Sequence, residues 1–176
     1  MSAVISLNRK PAALNSAGTE SSDQSEFNPA RSRSGVLFLC TGNYYRSRFA
    51  EELWNHYARR NHLREQAASK GFKPDPKNNP GAMSRFSLER LATRGITPAG
   101  AARLPAAVTR ADLLRYRILI ALSESEHRPM LLGQFPEFLG AVRFWQVEDV
   151  QWEYYTSALD KIEVCVRHLL EEFGPE

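Results

Sequence analysis

From Gly35 onward the hydrophobic positions follow two alternating rhythms, short unbroken apolar runs and longer stretches with apolar residues three or four apart. Val36-Leu37-Phe38-Leu39 is of the first kind and predicts a strand buried on both faces of a parallel sheet. Ser47 to Arg60 is of the second kind. It places Phe49, Ala50, Leu53, Trp54 and Tyr57 on one helical face, with Glu51 and Glu52 near the start and Arg59 and Arg60 at the end, as the helix dipole favours. A weaker strand is expected over Gln66 to Ser69, before the loop GFKPDPKNNPG, whose prolines and glycines exclude regular structure. Ser84 to Thr93 reads as a helix stopped by Gly95, followed by a loop through Pro98 and Pro105. Ile118 to Leu122 is the second clear buried strand, and Ser123 to Leu132 the helix after it, with Ser123 as N-cap. A last strand is expected over Val142 to Val147. Ala158, Leu159, Ile162, Cys165, Val166, Leu169, Leu170 and Phe173 then make a wide apolar face on a closing helix. Four strands alternating with four helices imply an α/β fold with a parallel sheet covered on both faces.

Residues 1–34 follow neither rhythm. They are rich in Ser, Ala, Asn and acidic residues and have too little apolar surface to offset the entropy of ordering, so a flexible tail is expected there and one domain over 35–176. A docking or modification role for the Ser-rich part is the alternative to a solvated leader. The length of 176 residues suits one domain, and 43% hydrophobic with 24% charged residues suits a soluble one. No apolar run approaches the ~20 residues of a membrane-spanning helix, and the opening stretch has no signal-peptide core. A net charge of +3 is compatible with anionic substrates and too small for a nucleic-acid footprint. Cys40 and Cys165 are the two cysteines, which excludes a disulfide framework and points to a reducing, cytoplasmic setting. His56, His62, His127 and His168 are scattered without ligand spacing, so neither a metal, a cofactor nor a base role is assigned to them.

The candidate chemistry lies between the first strand and the first helix, in Cys40-Thr41-Gly42-Asn43-Tyr44-Tyr45-Arg46. In an open α/β sheet, ligands bind beyond the carboxyl ends of the strands. A loop of this size can turn the backbone N–H groups of Thr41, Gly42, Asn43, Tyr44 and Tyr45 into one concavity facing the helix N-terminus, which suits a tetrahedral oxyanion. Gly42 and Asn43 tolerate the backbone conformations such a curl requires. Cys40, among amides and beside an arginine, is placed to act as a nucleophile on phosphorus. Arg46 offers a planar fork for two phosphate oxygens, and Ser47 can donate a hydrogen bond to the sulfur.

The stretch VLFLCTGNYYRSRFAE resembles the signature of the low-molecular-weight protein tyrosine phosphatases, close to V-L-F-V-C-x-G-N-x-C-R-S-P-x-A-E. The likeness extends through Gly95-Ile96, Ala111-Asp112-Leu113 and Cys165-Val166-Arg167, covering about Gly35 to Phe173. It implies a single three-layer, flavodoxin-like domain with a four-stranded parallel sheet. It also implies a monomeric phosphatase that needs no cofactor, forms a cysteinyl-phosphate intermediate, and acts on phosphotyrosine-type proteins or small phosphomonoesters. Membranes and nucleic acids are not expected as partners.

The resemblance further implies an aspartate acid from an Asp-Pro pair after the last strand. In WQVEDVQWEYY, Asp149 matches best, although Val150 stands where the family has proline, and Glu148 is the alternative acid. Trp152 is a candidate wall of the cleft, and Tyr155 a candidate anchor of the closing helix, with Tyr154 between them. In the stretch that matches the family's variable loop, Phe72 is a candidate to face the cleft. Tyr45 replaces a second cysteine that many members use to protect the nucleophile, and Cys165 is expected in the core. Tyr44 is bulkier than the family's usual residue and should reshape the pocket mouth. Arg48 replaces a frequent proline and is read either as a solvated helix residue or as a substrate contact. Two rival readings remain at this point: an arsenate reductase, which shares the CTGN loop but needs two further cysteines, and a non-catalytic oxyanion-binding module.

Overall fold

The computed structural model describes residues 33–149 and 154–173. The tail expected over 1–34 therefore lies, apart from Arg33 and Ser34, outside the described residues, as do Val150 and Trp152. Elements follow in the order β1 (Val36–Cys40), α1 (Arg46–Arg60), β2 (Ala67–Gly71), α2 (Arg85–Thr93), α3 (Arg110–Arg115), β3 (Ile118–Ala121), α4 (Glu124–Gln134), β4 (Val142–Phe144) and α5 (Tyr155–Glu171). The four strands form one sheet in the order β2-β1-β3-β4, and every pairing is parallel. This is the expected fold class.

The sheet divides the core in two. Val36, Phe38 and Cys40 of β1, with Ile118 and Ile120 of β3, face a layer built from α1, α2 and α5. Leu37, Leu39, Leu119 and Ala121 face the other way, onto Leu113 of α3 and Leu131 of α4. Both faces of β1 and β3 are covered, which is why their sequences are unbroken apolar runs rather than alternating ones. Phe49, Leu53 and Trp54 of α1 are fully buried, each contributing about 1.5–3 kcal/mol relative to exposure.

Most expected bounds move by one or two residues, and the larger differences have local causes. Strand β2 starts one residue late and runs on to Gly71, because its ladder with β1 ends opposite Cys40. Strand β4 stops at Phe144. The next residues still bond the end of β3, through Trp145 N–H to Ala121 O and Val147 N–H to Leu122 O, but they leave the parallel ladder. Helix α3 was not expected; it has a single buried side chain, Leu113, and so little periodicity to read. Its local mark is a capping box, in which Thr109 accepts from Asp112 N–H and the Asp112 carboxylate accepts from Thr109 N–H. Helix α2 ends as expected at Gly95 (φ 67°), with Ile96 N–H bonding Leu91 O and Gly95 N–H bonding Ala92 O. Ser123 caps α4, as the sequence indicated.

From β1 the chain crosses to one side of the sheet to form β2 and later to the other side to form β3 and β4. The crevice between the carboxyl ends of β1 and β3 is therefore the topological switch point, and Cys40 closes β1 there.

Candidate active site

A cleft of about 620 Å³ opens at this crevice, and Cys40, Thr41, Gly42, Tyr44, Tyr45, Arg46 and Asp149 all contribute to its lining. The sulfur of Cys40 lies 2.9 Å from Ser47 Oγ. Asn43 stands in the left-handed region (φ 50°), and its side-chain amide donates to Ser47 Oγ at 3.2 Å and to Ser69 Oγ at 2.8 Å. Its carbonyl oxygen accepts from Ala106 N–H at 3.0 Å. Ser69 in turn donates to Glu51, a carboxylate that only accepts. The direction of the whole chain follows. Ser69 Oγ accepts from Asn43, Ser47 Oγ accepts from Asn43 as well, and the Ser47 hydroxyl proton is free to point at Cys40 Sγ, as it must when that sulfur is a thiolate.

Side chains are crowded out at Gly71 by backbone and at Gly42 by the movable end of a side chain. A Cβ at Gly42 would come 2.5 Å from Asn79 Nδ2, and a Cβ at Gly71 would come 2.8 Å from both Thr41 O and Asn43 N. The segment after β2 is thus laid directly on the Cys40–Arg46 loop. Phe72 N–H bonds Cys40 O, Lys73 N–H bonds Thr41 O, Ser84 N–H bonds Tyr44 O, and Tyr44 OH donates to Pro80 O at 2.8 Å. Lys73, Asp75, Asn78, Asn79, Ser84, Phe86 and Met130 complete the cleft.

Arg46 begins α1, preceded by Tyr45 as an N-cap without side-chain capping, which leaves the first turn open to an anion. Its guanidinium is 1% exposed. Nη1 and Nη2 donate to the two oxygens of Glu126 at 2.8 and 2.9 Å, Nη1 also donates to Val147 O at 2.9 Å, and Nη2 lies 3.1 Å from Asp149 Oδ2. Burial alone would lower the arginine's pKa, but the Glu126 bond and the charges around it raise it, so it stays cationic. Burial alone would raise that of Glu126; the Arg46 bond outweighs this and lowers it.

Several expectations need correction. Phe72 does not face the cleft: it is 5% exposed and stacks on the His127 ring, because it keeps the alternation of β2, which puts it in the layer under α3 and α4. Arg48 is neither solvated nor at the cleft. It is fully buried behind the loop, 3.5 Å from Glu51 and bonded to Gly100 O, and burial followed by Arg103 lowers its pKa. Glu148 accepts from Ser123 and Ser125 at the start of α4 and does not line the cleft, whereas Asp149 does. Cys165 is half-buried at the margin of the α5 face rather than in its centre.

Tyr45 is buried and donates to Tyr155 O at 2.8 Å, fastening the Cys40–Arg46 loop to the start of α5. Tyr155 anchors that helix by stacking on Phe86, with ring centroids 4.2 Å apart, while Tyr154 is exposed.

Glu126 and His127 were not singled out in the sequence. His127 Nδ1 accepts from Ser123 N–H, so the neutral ring carries its proton on Nε2, 3.3 Å from Thr41 Oγ1, and Thr41 donates onward to Glu126 at 3.1 Å. Burial, and then Arg46, lower the His127 pKa to about 3. Among the described residues, no group of three or more His, Cys, Asp or Glu is arranged to hold a metal ion.

A thiol at the switch point, a guanidinium and a carboxylate thus line one cleft. The family model of the low molecular weight phosphotyrosine protein phosphatases matches residues 35–175. The chain belongs to that family. It is accordingly a hydrolase of the protein tyrosine phosphatase class, acting on phosphorylated substrates.

Solved structures agree on the fold. A low molecular weight protein tyrosine phosphatase from T. tengcongensis superposes with a TM-score of 0.66 at 24% identity, over 79% of this chain and 99% of the other. VcLMWPTP-2 from Vibrio cholerae O395, a low molecular weight phosphotyrosine phosphatase, gives 0.68 at 20%, over 80% and 96%. The YwlE arginine phosphatase from Geobacillus stearothermophilus gives 0.64 at 22%, over 80% and 92%. A search of curated protein sequences returned no match. No helix among the described residues is long and apolar enough to cross a membrane.

Proposed function

We propose that this phosphatase hydrolyses phosphotyrosine-type monoesters through a cysteinyl-phosphate intermediate, with Cys40 as nucleophile, Arg46 as clamp and Asp149 as acid and then base. The observation that carries the reading is the meeting of these three side chains in one cleft, with Asp149 Oδ2 3.1 Å from Arg46 Nη2. The thiolate of Cys40 attacks phosphorus, the P–O bond to the leaving group breaks, and protonated Asp149 gives its proton to the departing oxygen. Ionised Asp149 then takes a proton from water, whose oxygen attacks phosphorus. The S–P bond breaks, and the Ser47 hydroxyl, directed at the sulfur, supports the leaving thiolate. Loop amides at Thr41 to Tyr45 and the donors of Arg46 hold the phosphoryl oxygens as charge moves onto them.

The walls support an aromatic ester. Tyr44, fixed by its bond to Pro80 O, and Phe86, backed by Tyr155, flank the cleft. Phosphoarginine is the comparator, because an arginine phosphatase shares the fold.

The decisive measurement is turnover of para-nitrophenyl phosphate by the wild type and by Cys40→Ser. A loss on the order of 10³-fold or more is expected, and turnover that survives the substitution overturns the mechanism. A phosphotyrosine peptide should be hydrolysed faster than a phosphoarginine peptide; the reverse order would reassign the substrate.

A further inference from the structure

Among the described residues, Glu126 is the carboxylate that touches Arg46, Thr41 of the Cys40–Arg46 loop and the Asp149 backbone. Oε1 accepts from Arg46 Nη1 at 2.8 Å and from Asp149 N–H at 3.2 Å. Oε2 accepts from Arg46 Nη2 at 2.9 Å and from Thr41 Oγ1 at 3.1 Å. The carboxylate is itself held from behind. It stands in the first turn of α4, where the helix dipole favours a negative charge, and its own N–H is bonded by the Ser123 cap at 3.3 Å. The donor direction at Thr41 is set by His127, whose Nε2 proton occupies a Thr41 lone pair and leaves the Thr41 hydroxyl proton for Glu126.

We infer that Glu126 is a positioning residue that couples the guanidinium clamp to the acid loop, so that one carboxylate sets both the plane of Arg46 and the place of Asp149. Two consequences follow from the geometry. Because Glu126 takes the Nη1–Nη2 edge of the guanidinium and Val147 O the other Nη1 proton, the Nε–Nη2 edge is the one left for two phosphoryl oxygens once Asp149, 3.1 Å from Nη2, gives way to them. And because the Asp149 amide is bonded to the same carboxylate, the segment carrying the acid is registered to the clamp across the cleft, where Val150 replaces the family's rigid proline. The inference rests on the reading of Arg46 as clamp and Asp149 as acid.

The test compares wild type, Glu126→Gln and Glu126→Asp by three readouts. These are calorimetric binding of inorganic phosphate, hydrogen exchange of the Asp149 amide by NMR, and kcat and KM on para-nitrophenyl phosphate and on phenyl phosphate. Glu126→Gln should weaken phosphate binding by about tenfold or more, since a hydrogen-bonded charge pair is replaced by a neutral contact. It should also speed exchange at Asp149 and lower kcat more on phenyl phosphate, the poorer leaving group. Glu126→Asp should recover part of the phosphate affinity. Unchanged phosphate affinity with equal losses on both esters would overturn the inference, leaving Glu126 a merely structural residue. Tighter phosphate binding in Glu126→Gln would also overturn it, by showing that the carboxylate competes with the ligand. If wild-type turnover proves independent of Cys40, the proposed mechanism fails, and phosphate affinity together with the Asp149 amide still decides the role of Glu126. If Glu126→Gln does not fold, Glu126→Asp carries the same three measurements.

Discussion

The Cys40–Arg46 loop has a cleft side and an inner side, and the two handle charge in opposite ways. On the cleft side Arg46 is matched by Glu126 and Asp149, with hydrogen bonds satisfied in a plane and one carboxylate at the edge of an open space. On the inner side Arg48, Glu51, Glu52 and Arg103 are packed behind the loop. There Glu51 accepts from Ser69 and Arg103, Glu52 caps Ala99 N–H and Gly100 N–H, and Arg48 Nε and Nη1 have no hydrogen-bond partner among the described residues. Burial raises the pKa of Glu51 and lowers that of Arg48, the cost expected of charges removed from water without full compensation. The contrast separates two tasks. On the proposed mechanism, charges on the cleft side exchange partners with a ligand, while on the inner side Glu51, through Ser69, orients Asn43 and with it Ser47.

Three substitutions would sharpen or break this contrast. The largest effect belongs to the cleft side: Asp149→Ala should slow phenyl phosphate by roughly 10²-fold or more and para-nitrophenyl phosphate much less. Equal losses in the two rates would remove Asp149 from the role of acid.

Next comes His127, which lies behind the cleft and is buried neutral. Its folded pKa of about 3 is below its ordinary 6.5, so the unfolded chain binds the proton first as pH falls. The stability this group contributes is complete above pH 6.5 and is lost as pH falls toward about 3, by roughly 2 kcal/mol between pH 6.5 and pH 5. Urea unfolding of wild type and His127→Gln at several pH values should show a flatter pH dependence in the variant over that window. Parallel curves would mean that the imidazole is protonated in the folded protein.

The smallest effect tests whether the inner side governs the outer. Ser69→Ala interrupts the chain from Glu51 to Asn43 and should lower kcat by about fivefold to tenfold, the worth of one hydrogen bond, with KM little changed. A change confined to KM would separate the inner network from the nucleophile.

Much of the fold was readable in the sequence wherever burial is two-sided and continuous. Strands β1 and β3 are apolar at every position, and α1 and α5 carry broad stripes. Strand β2, Ala-Ala-Ser-Lys-Gly at the edge of the sheet, has small and polar residues and gave only a weak signal. Phe72 was misplaced because it keeps the alternation of β2, which puts it with Ala68 in the layer under α3 and α4 and away from the cleft.

The site was legible in the segment that is local. Cys40 to Ser47 states its chemistry within eight residues, and Asp149 was found through the family resemblance rather than through any periodicity. Glu126 and His127 were invisible because their partners, Arg46 and Thr41, lie 80 to 86 positions away. Nothing in Ser-Glu-Ser-Glu-His distinguishes a helix start that serves only its helix from one that reaches across the sheet.

The tie between Tyr45 and Tyr155 spans 110 positions, and that between Arg46 and Val147 spans 101. The order of events during synthesis follows from these spans. The nucleophile segment is made early, yet its clamp has no seat until α4, β4 and the start of α5 have joined the sheet. A nascent chain halted before Tyr155 would carry the complete Cys40 to Arg46 segment without its fastening to α5. Catalytic competence should therefore arrive late and all at once, with the assembly of the last strand and helix, and serve as a report that the chain has finished folding.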